Sequence, residues 1–145
     1  MDIKEKALDF AVNAHNGQVR KAQPDKPMIM HPITTANILD EYHADDDVIA
    51  AGYLHDVVED TPYTFADLEQ MGFGEDVLEA LKLLTHDDAV DYMDYVAEIK
   101  KNPIATAVKM ADLRHNSELS RLDEITEKAL KRREKYLQAM ALLEE

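Results

Sequence analysis

Apolar residues recur along this chain at the period of an α-helix, and no window alternates apolar with polar residues as a half-buried strand would. Ile3, Ala7, Phe10, Ala11 and Ala14 fall at i, i+4, i+7, i+8 and i+11, one stripe of an amphipathic helix that Gly17 should close. Pro24, Pro27 and Pro32 predict loop from Gly17 to the next helix, which starts near His31-Pro32 and runs to about Tyr42. Asp45, Asp46 and Asp47 suit the positive end of a third helix, predicted to continue through Asp56 and to stop at Thr61-Pro62. A short helix over 64–71 has Thr64 as its cap, with Asp67 three residues on, and Gly72 as its stop. Further helices are predicted over 75–85, 91–101, 103 to about 121, and 126–145, the last with Ala129, Tyr136, Met140 and Leu143 on one face. The expected fold is all-α: a single domain over 1–145, a bundle of about seven or eight short helices.

Composition narrows the function. A chain of 145 residues can hide roughly 68–70% of its unfolded surface, and 46% apolar with 32% charged residues is globular composition. There is no Cys, which excludes disulfides, thiolate-ligated zinc and thiol catalysis. Thirty acidic against sixteen basic residues leave a net charge of −14, which repels nucleic-acid backbones and anionic membrane surfaces. The first residues open an amphipathic helix rather than a signal peptide, and no run approaches the roughly 18 apolar residues that cross a bilayer. The expectation is a cytoplasmic protein. Gly72-Phe73-Gly74 lacks the third glycine and the preceding strand of a dinucleotide loop, and Asp45–Asp47 lacks the spacing of a calcium loop.

The segment with chemical content is Tyr53-Leu54-His55-Asp56-Val57-Val58-Glu59-Asp60-Thr61, at the end of an otherwise apolar helix. His55 and Glu59 are four apart, as are Asp56 and Asp60, so each pair is expected to stack on one helical face. Crowded carboxylates that lose hydration need a compensating cation, and a divalent metal held by His55 and Asp56 would supply it. Two ligands do not complete a coordination shell. His31, opening a helix after a loop, and Asp112, in a helix whose flanking Ile104, Val108 and Ala111 argue burial, are the candidates for the rest. Two imidazoles and two carboxylates suit Mn²⁺, Fe²⁺ or Zn²⁺ better than Ca²⁺ or Mg²⁺.

Four segments in order, A-V-N-A-H-N-G-Q-V-R-K (11–21), P-M-I-M-H-P (27–32), L-H-D-V-V-E-D-T (54–61) and V-K-M-A-D-L-R-H-N (108–116), resemble the HD-domain phosphohydrolases. Within them they resemble the (p)ppGpp hydrolase domain of RelA/SpoT-type enzymes and the small alarmone hydrolases. The resemblance covers roughly the first 120 residues. It implies a single HD-type domain in which His31, His55, Asp56 and Asp112 hold the metal, typically Mn²⁺, while Glu59 and Asp60 position and deprotonate the attacking water. Arg20 and Lys21 would meet the base and phosphates of a small anionic nucleotide, and Asn116 the nucleoside. The implied activity is metal-dependent release of pyrophosphate from the 3′ position of (p)ppGpp, and a chain this short has no room for a synthetase domain as well.

Two alternatives remain at this stage. Leu113-Arg114 reverses the family's usual order after the metal-binding Asp, Glu118 stands where an Arg is usual, and Leu119 replaces a polar residue. These departures leave the metal site intact and point to another nucleotide phosphate ester as an alternative substrate. A non-catalytic nucleotide sensor is the third reading, which the Glu59-Asp60 pair argues against. Of the other histidines, His15 reads as structural, His43 and His86 as surface residues, and His115 as facing away from the Asp112–Asn116 stripe.

Overall fold

The structure, a computed structural model, describes residues 2–20, 23–42, 44–118 and 124–145. Its helices are α1 (Ile3–Ala14), α2 (Met30–Glu41), α3 (Asp46–Leu54), α4 (Val57–Asp60), α5 (Phe65–Gln70), α6 (Glu75–Leu84), α7 (Tyr92–Ile99), α8 (Pro103–Asn116) and α9 (Glu127–Glu144). The all-α expectation holds, and local chemistry explains most of the boundaries. Asp2 accepts from the Glu5 amide at the start of α1, and Asn102 does the same for Ala105 ahead of Pro103 in α8. Thr64 and Asp67 form a reciprocal capping box at α5, and Thr126 caps α9.

Two local expectations need correction. The proline-rich stretch is not all loop: β1 (Val19–Arg20) and β2 (Gln23–Pro27) pair as an antiparallel ribbon, with a register irregularity between Val19 and Arg20. A two-stranded ribbon has only edges, so a proline's missing N–H costs it no central ladder bond. Gly17, at φ +85°, makes the turn from α1 into this ribbon, a conformation that side-chain-bearing residues avoid.

The second correction concerns the predicted helix through Asp56, which is broken into α3 and α4. In an unbroken helix the Gly52 carbonyl would accept from the Asp56 amide; here the His55 ring nitrogen Nδ1 binds it at 2.6 Å. His55 and Asp56 therefore sit at a junction between two helices, while the Asp60 amide still donates to the Asp56 carbonyl at 2.9 Å, so Asp56 and Asp60 remain one helical turn apart.

The core is built around α3. Ala50 and Ala51 of α3 and Ala7 and Ala11 of α1 are fully buried, and such small residues let helix backbones approach closely. Gly52 carries this furthest: a Cβ there would stand 2.8 Å from Leu39 Cδ1 and 3.4 Å from Ala36 Cα, both in α2. Leu54, Val57, Leu68, Leu81, Val96, Ile99, Val108 and Leu113 fill the space between α3 and the later helices. This packing brings α2, the α3–α4 junction and α8 side by side. Among the described residues, no helix is long and apolar enough to cross a membrane.

Candidate metal centre

Three side chains from three distant stretches of chain meet in the interior. His31 from the first turn of α2, His55 from the α3–α4 junction and Asp112 from α8 are 3%, 5% and 6% exposed. Each presents one ligand atom, and those atoms lie within 4.8 Å of one another. His31 Nε2 is 2.6 Å from Asp112 Oδ1 and 3.2 Å from His55 Nε2, and His55 Nε2 is 3.5 Å from Asp112 Oδ1. Asp56 closes the group, with Oδ2 at 3.2 Å from His55 Nε2 and 3.9 Å from His31 Nε2. Neighbouring ligands about an ion with bonds of about 2.1 Å lie roughly 3.0 Å apart in octahedral and roughly 3.4 Å apart in tetrahedral coordination. The observed spacings bracket those values. Two imidazoles and two carboxylates converging at such distances, mostly buried, form a donor set that fits a divalent transition metal.

The surroundings orient these donors. The Gly52 carbonyl accepts from His55 Nδ1–H, which turns Nε2 into the cluster. Lys109, one turn before Asp112, donates to Asp112 Oδ2 at 3.0 Å and leaves Oδ1 facing the histidines. Asn116, one turn after, donates to the same Oδ1 at 3.0 Å and accepts from Arg20 at 2.8 Å, tying the β1–β2 ribbon to α8. His115 reaches the other side of His31, with Nδ1 2.7 Å from His31 Nδ1 and the two rings meeting edge to edge, their planes 13° apart.

Burial and charge work against each other here, and charge wins. Burial alone would lower the His55 pKa, but Asp56, Asp112 and the Gly52 carbonyl outweigh it and raise the ring from 6.5 to about 9. Burial would likewise raise Asp112, yet the Lys109 ammonium and the two histidines hold its carboxyl well below the usual carboxylate range. Lys109 moves the opposite way: against burial, Asp112 and the Tyr95 and Tyr92 rings keep it charged. Its ammonium lies 5.2 Å from the Tyr95 ring centroid and 5.7 Å from that of Tyr92.

The cluster forms one wall of a cavity of about 900 Å³. Glu59 and Asp60 stand exposed at its mouth. Partial burial raises the Glu59 pKa above its ordinary value and the charges of Asp56 and Asp60 push it the same way, while Lys109 and His86 oppose them. To the same lining α9 contributes Lys128, Arg132, Lys135 and Tyr136, and the ribbon contributes Arg20. On a chain carrying −14, one cavity thus gathers five cationic side chains, counting Lys109.

All of the site residues expected from the sequence except Lys21 line this cavity or its inner wall; Lys21, like His43 and Leu119, lies outside the described residues. His15 is buried, its Nδ1 2.8 Å from Gln18 Oε1, and Gln18 in turn donates to the Asp60 carbonyl. Two histidine readings change. His86 is half-buried and lines the cavity, its Nε2 bonded to the Val90 carbonyl. His115 does not face away: three helical residues on from Asp112 is about 60° to one side of it, and Asn116 is about 40° to the other. Both flank the site. Lys109, at i−3 from Asp112, was legible by the same spacing. The α9 cations were not, because nothing local shows which face of a charged helix meets a distant cavity.

Known proteins share this architecture. The profile of the HD domain family matches residues 7–141. A guanosine-3′,5′-bis(diphosphate) 3′-pyrophosphohydrolase of Haemophilus influenzae is 33% identical over 118 residues, covering 74% of this chain and 17% of that protein. The bifunctional (p)ppGpp synthase/hydrolase SpoT of Escherichia coli is 35% identical over 117 residues, 73% of this chain and 16% of that protein. This chain thus spans only a small part of the length of either bacterial relative. A solved structure described as a metazoan ortholog of SpoT that hydrolyses ppGpp superposes with a TM-score of 0.78 at 26% identity, covering 99% of this chain and 86% of that one.

Proposed function

We infer that this chain, which belongs to the HD-domain family, is a metal-dependent phosphohydrolase that releases pyrophosphate from the 3′ position of (p)ppGpp. The observation that carries the reading is the four-donor cluster of His31, His55, Asp56 and Asp112 opening on a cavity lined by cations. A substrate with phosphates at both its 3′ and 5′ positions needs one reactive pole and a second patch of positive charge. The cavity has both: the cluster on one wall, and Arg20 with the α9 residues Lys128, Arg132 and Lys135 on the others. The relatives named for this activity support the same reading.

His31, His55, Asp56 and Asp112 would hold a divalent transition metal, and Mn²⁺ is the ion that the resemblance to HD-domain phosphohydrolases implies. When bound, it supplies Lewis acidity to a phosphoryl oxygen and to water. Glu59 and Asp60 would then serve as the base: partial burial and the charges of Asp56 and Asp60 raise the Glu59 pKa, which brings it nearer to working pH. Lys109 keeps Asp112 ionised and oriented. Arg20 and Asn116, already bonded to each other, offer a guanidinium face and an amide to the nucleoside, and Lys21, outside the described residues, keeps the phosphate-binding role that the resemblance implies. A single domain over 1–145 suffices for this chemistry, and a nucleotide substrate puts it in the cytoplasm.

The test is direct. Protein purified with Mn²⁺ should convert ppGpp to GDP and pyrophosphate, and a panel of nucleotides without a 3′-phosphate should be poor substrates. Retained metal with no pyrophosphate released sinks the activity. Preference for a ligand without a 3′-phosphate moves the reading to another nucleotide phosphate ester, the direction in which Glu118 points.

A further inference from the structure

His31 and His115 face each other nitrogen to nitrogen, Nδ1 to Nδ1 across 2.7 Å, with ring planes 13° apart and centroids 5.0 Å apart. Two like nitrogens at that separation attract only if one carries a proton and the other offers a lone pair. The pair alone leaves the direction open. The far side of the His31 ring decides it. His31 Nε2 faces Asp112 Oδ1 at 2.6 Å, His55 Nε2 at 3.2 Å and Asp56 Oδ2 at 3.9 Å, and a ring that ligates a metal there must present a bare Nε2. A neutral imidazole with a bare Nε2 carries its proton on Nδ1. His31 is then the donor of the short bond, His115 Nδ1 the acceptor, and the His115 proton resides on Nε2.

We propose that His115 is a positioning residue of the metal centre, a neutral imidazole whose Nδ1 accepts the His31 Nδ1 proton and so holds His31 in the tautomer and ring plane that turn Nε2 onto a divalent cation. The proposal rests on reading this cluster as a metal centre and is independent of the substrate. His55 is held in the same sense by the Gly52 carbonyl at 2.6 Å, three residues back in the chain. The two devices differ in one respect. A carbonyl accepts under all conditions, whereas an imidazole accepts at Nδ1 only in one tautomer. The partner of His31 also comes from α8, three residues after Asp112, so one helix delivers both a ligand and the group that orients another ligand.

The experiment compares wild type with His115→Leu, which keeps bulk and loses the acceptor, and His115→Asn, whose Oδ1 stands close to where Nδ1 stood. Mn²⁺ and Zn²⁺ are titrated calorimetrically into each metal-free protein, without substrate. Loss of such an outer partner typically weakens metal binding about 10–100-fold. His115→Leu should show that loss, and His115→Asn should remain within a few-fold of wild type. At saturating metal the kcat of His115→Leu should return toward wild type, which a general packing defect would not allow. Nitrogen NMR of Zn²⁺-loaded wild type gives a check that needs no variant: the proton should be found on His31 Nδ1 and on His115 Nε2. Wild-type affinity in His115→Leu, equal losses in both variants, or a proton on His115 Nδ1 overturns the proposal. A wild type that binds metal yet releases no pyrophosphate removes the hydrolase reading and leaves this one standing; a wild type that binds no divalent ion removes both.

Discussion

The floor of the cavity, His31, His55, Lys109 and Asp112, and its rim, Glu59, Asp60, Lys128, Arg132 and Lys135, contain similar residue types held on different terms. Floor groups are almost wholly removed from water, and Asp112, Lys109 and His55 keep their charge only because a named neighbour supports each: Lys109 for Asp112, Asp112 for Lys109, Asp56 and Asp112 for His55. Rim groups stand in or near solvent, where single charges interact weakly and are screened by salt. Removing one floor group therefore strands its partners, whereas removing one rim group leaves the others in place.

That contrast sets the order of expected effects. Asp112→Asn should be the most damaging change, because it takes a ligand from the cluster and leaves Lys109 buried without its carboxylate. Breaking a buried pair in this way costs about 3–5 kcal/mol. Metal analysis should find the variant empty, and denaturant unfolding should find it destabilised; near wild-type values in both would erase the distinction between floor and rim. Glu59→Gln with Asp60→Asn should lower kcat by about 10²–10⁴-fold while metal content and melting temperature hold. Metal loss in that double variant would move the pair from rim to floor.

Gly52→Ala probes the packing beneath the floor. Its Cβ would overlap Leu39 Cδ1, and overpacking a tight core costs about 1–3 kcal/mol. Pushing α3 from α2 should also spread His31 and His55, so metal affinity should fall together with stability, as read by calorimetry and thermal melting. An unchanged affinity would separate helix packing from site geometry.

The pH response is smaller and has a definite sign. The folded-state pKa of His55, about 9, exceeds its unfolded value of 6.5, so the folded metal-free protein holds that proton more tightly. The stabilisation is fully present below 6.5 and is lost as pH rises through 9. Proton and metal compete for the same Nε2, so metal affinity should rise over that window. Melting curves of metal-free protein at pH 6 and pH 9, beside metal titrations at both, check the two slopes. Arg132→Ala should matter least: KM for ppGpp rises a few-fold, less so in high salt, with kcat held.

That His31, His55, Asp56 and Asp112 are candidates for one cluster was legible because ligand chemistry restricts residue type, and the structure brings the four side chains together. Helix ends were legible where a single side chain writes them, as with Thr64 and Asp67 or Asn102 and Pro103. The α3–α4 break was not, because it depends on which acceptor the His55 ring finds. The place of His115 is not legible from a helix face taken as a single line, because neighbours on both sides of Asp112 reach the site. The cations of α9 could be counted but not aimed.

On its own, the order of amino acids determined the helices, their caps and the identity of the metal-ligand candidates, since backbone propensity and ligand chemistry act within a few bonds. Which face of each helix turned inward, how near α2 could come to α3 at Gly52, and which partner each imidazole received were decided by the folded chain. Those outcomes depend on contacts between residues as far apart as His31 and His115, which exist only after the core has closed.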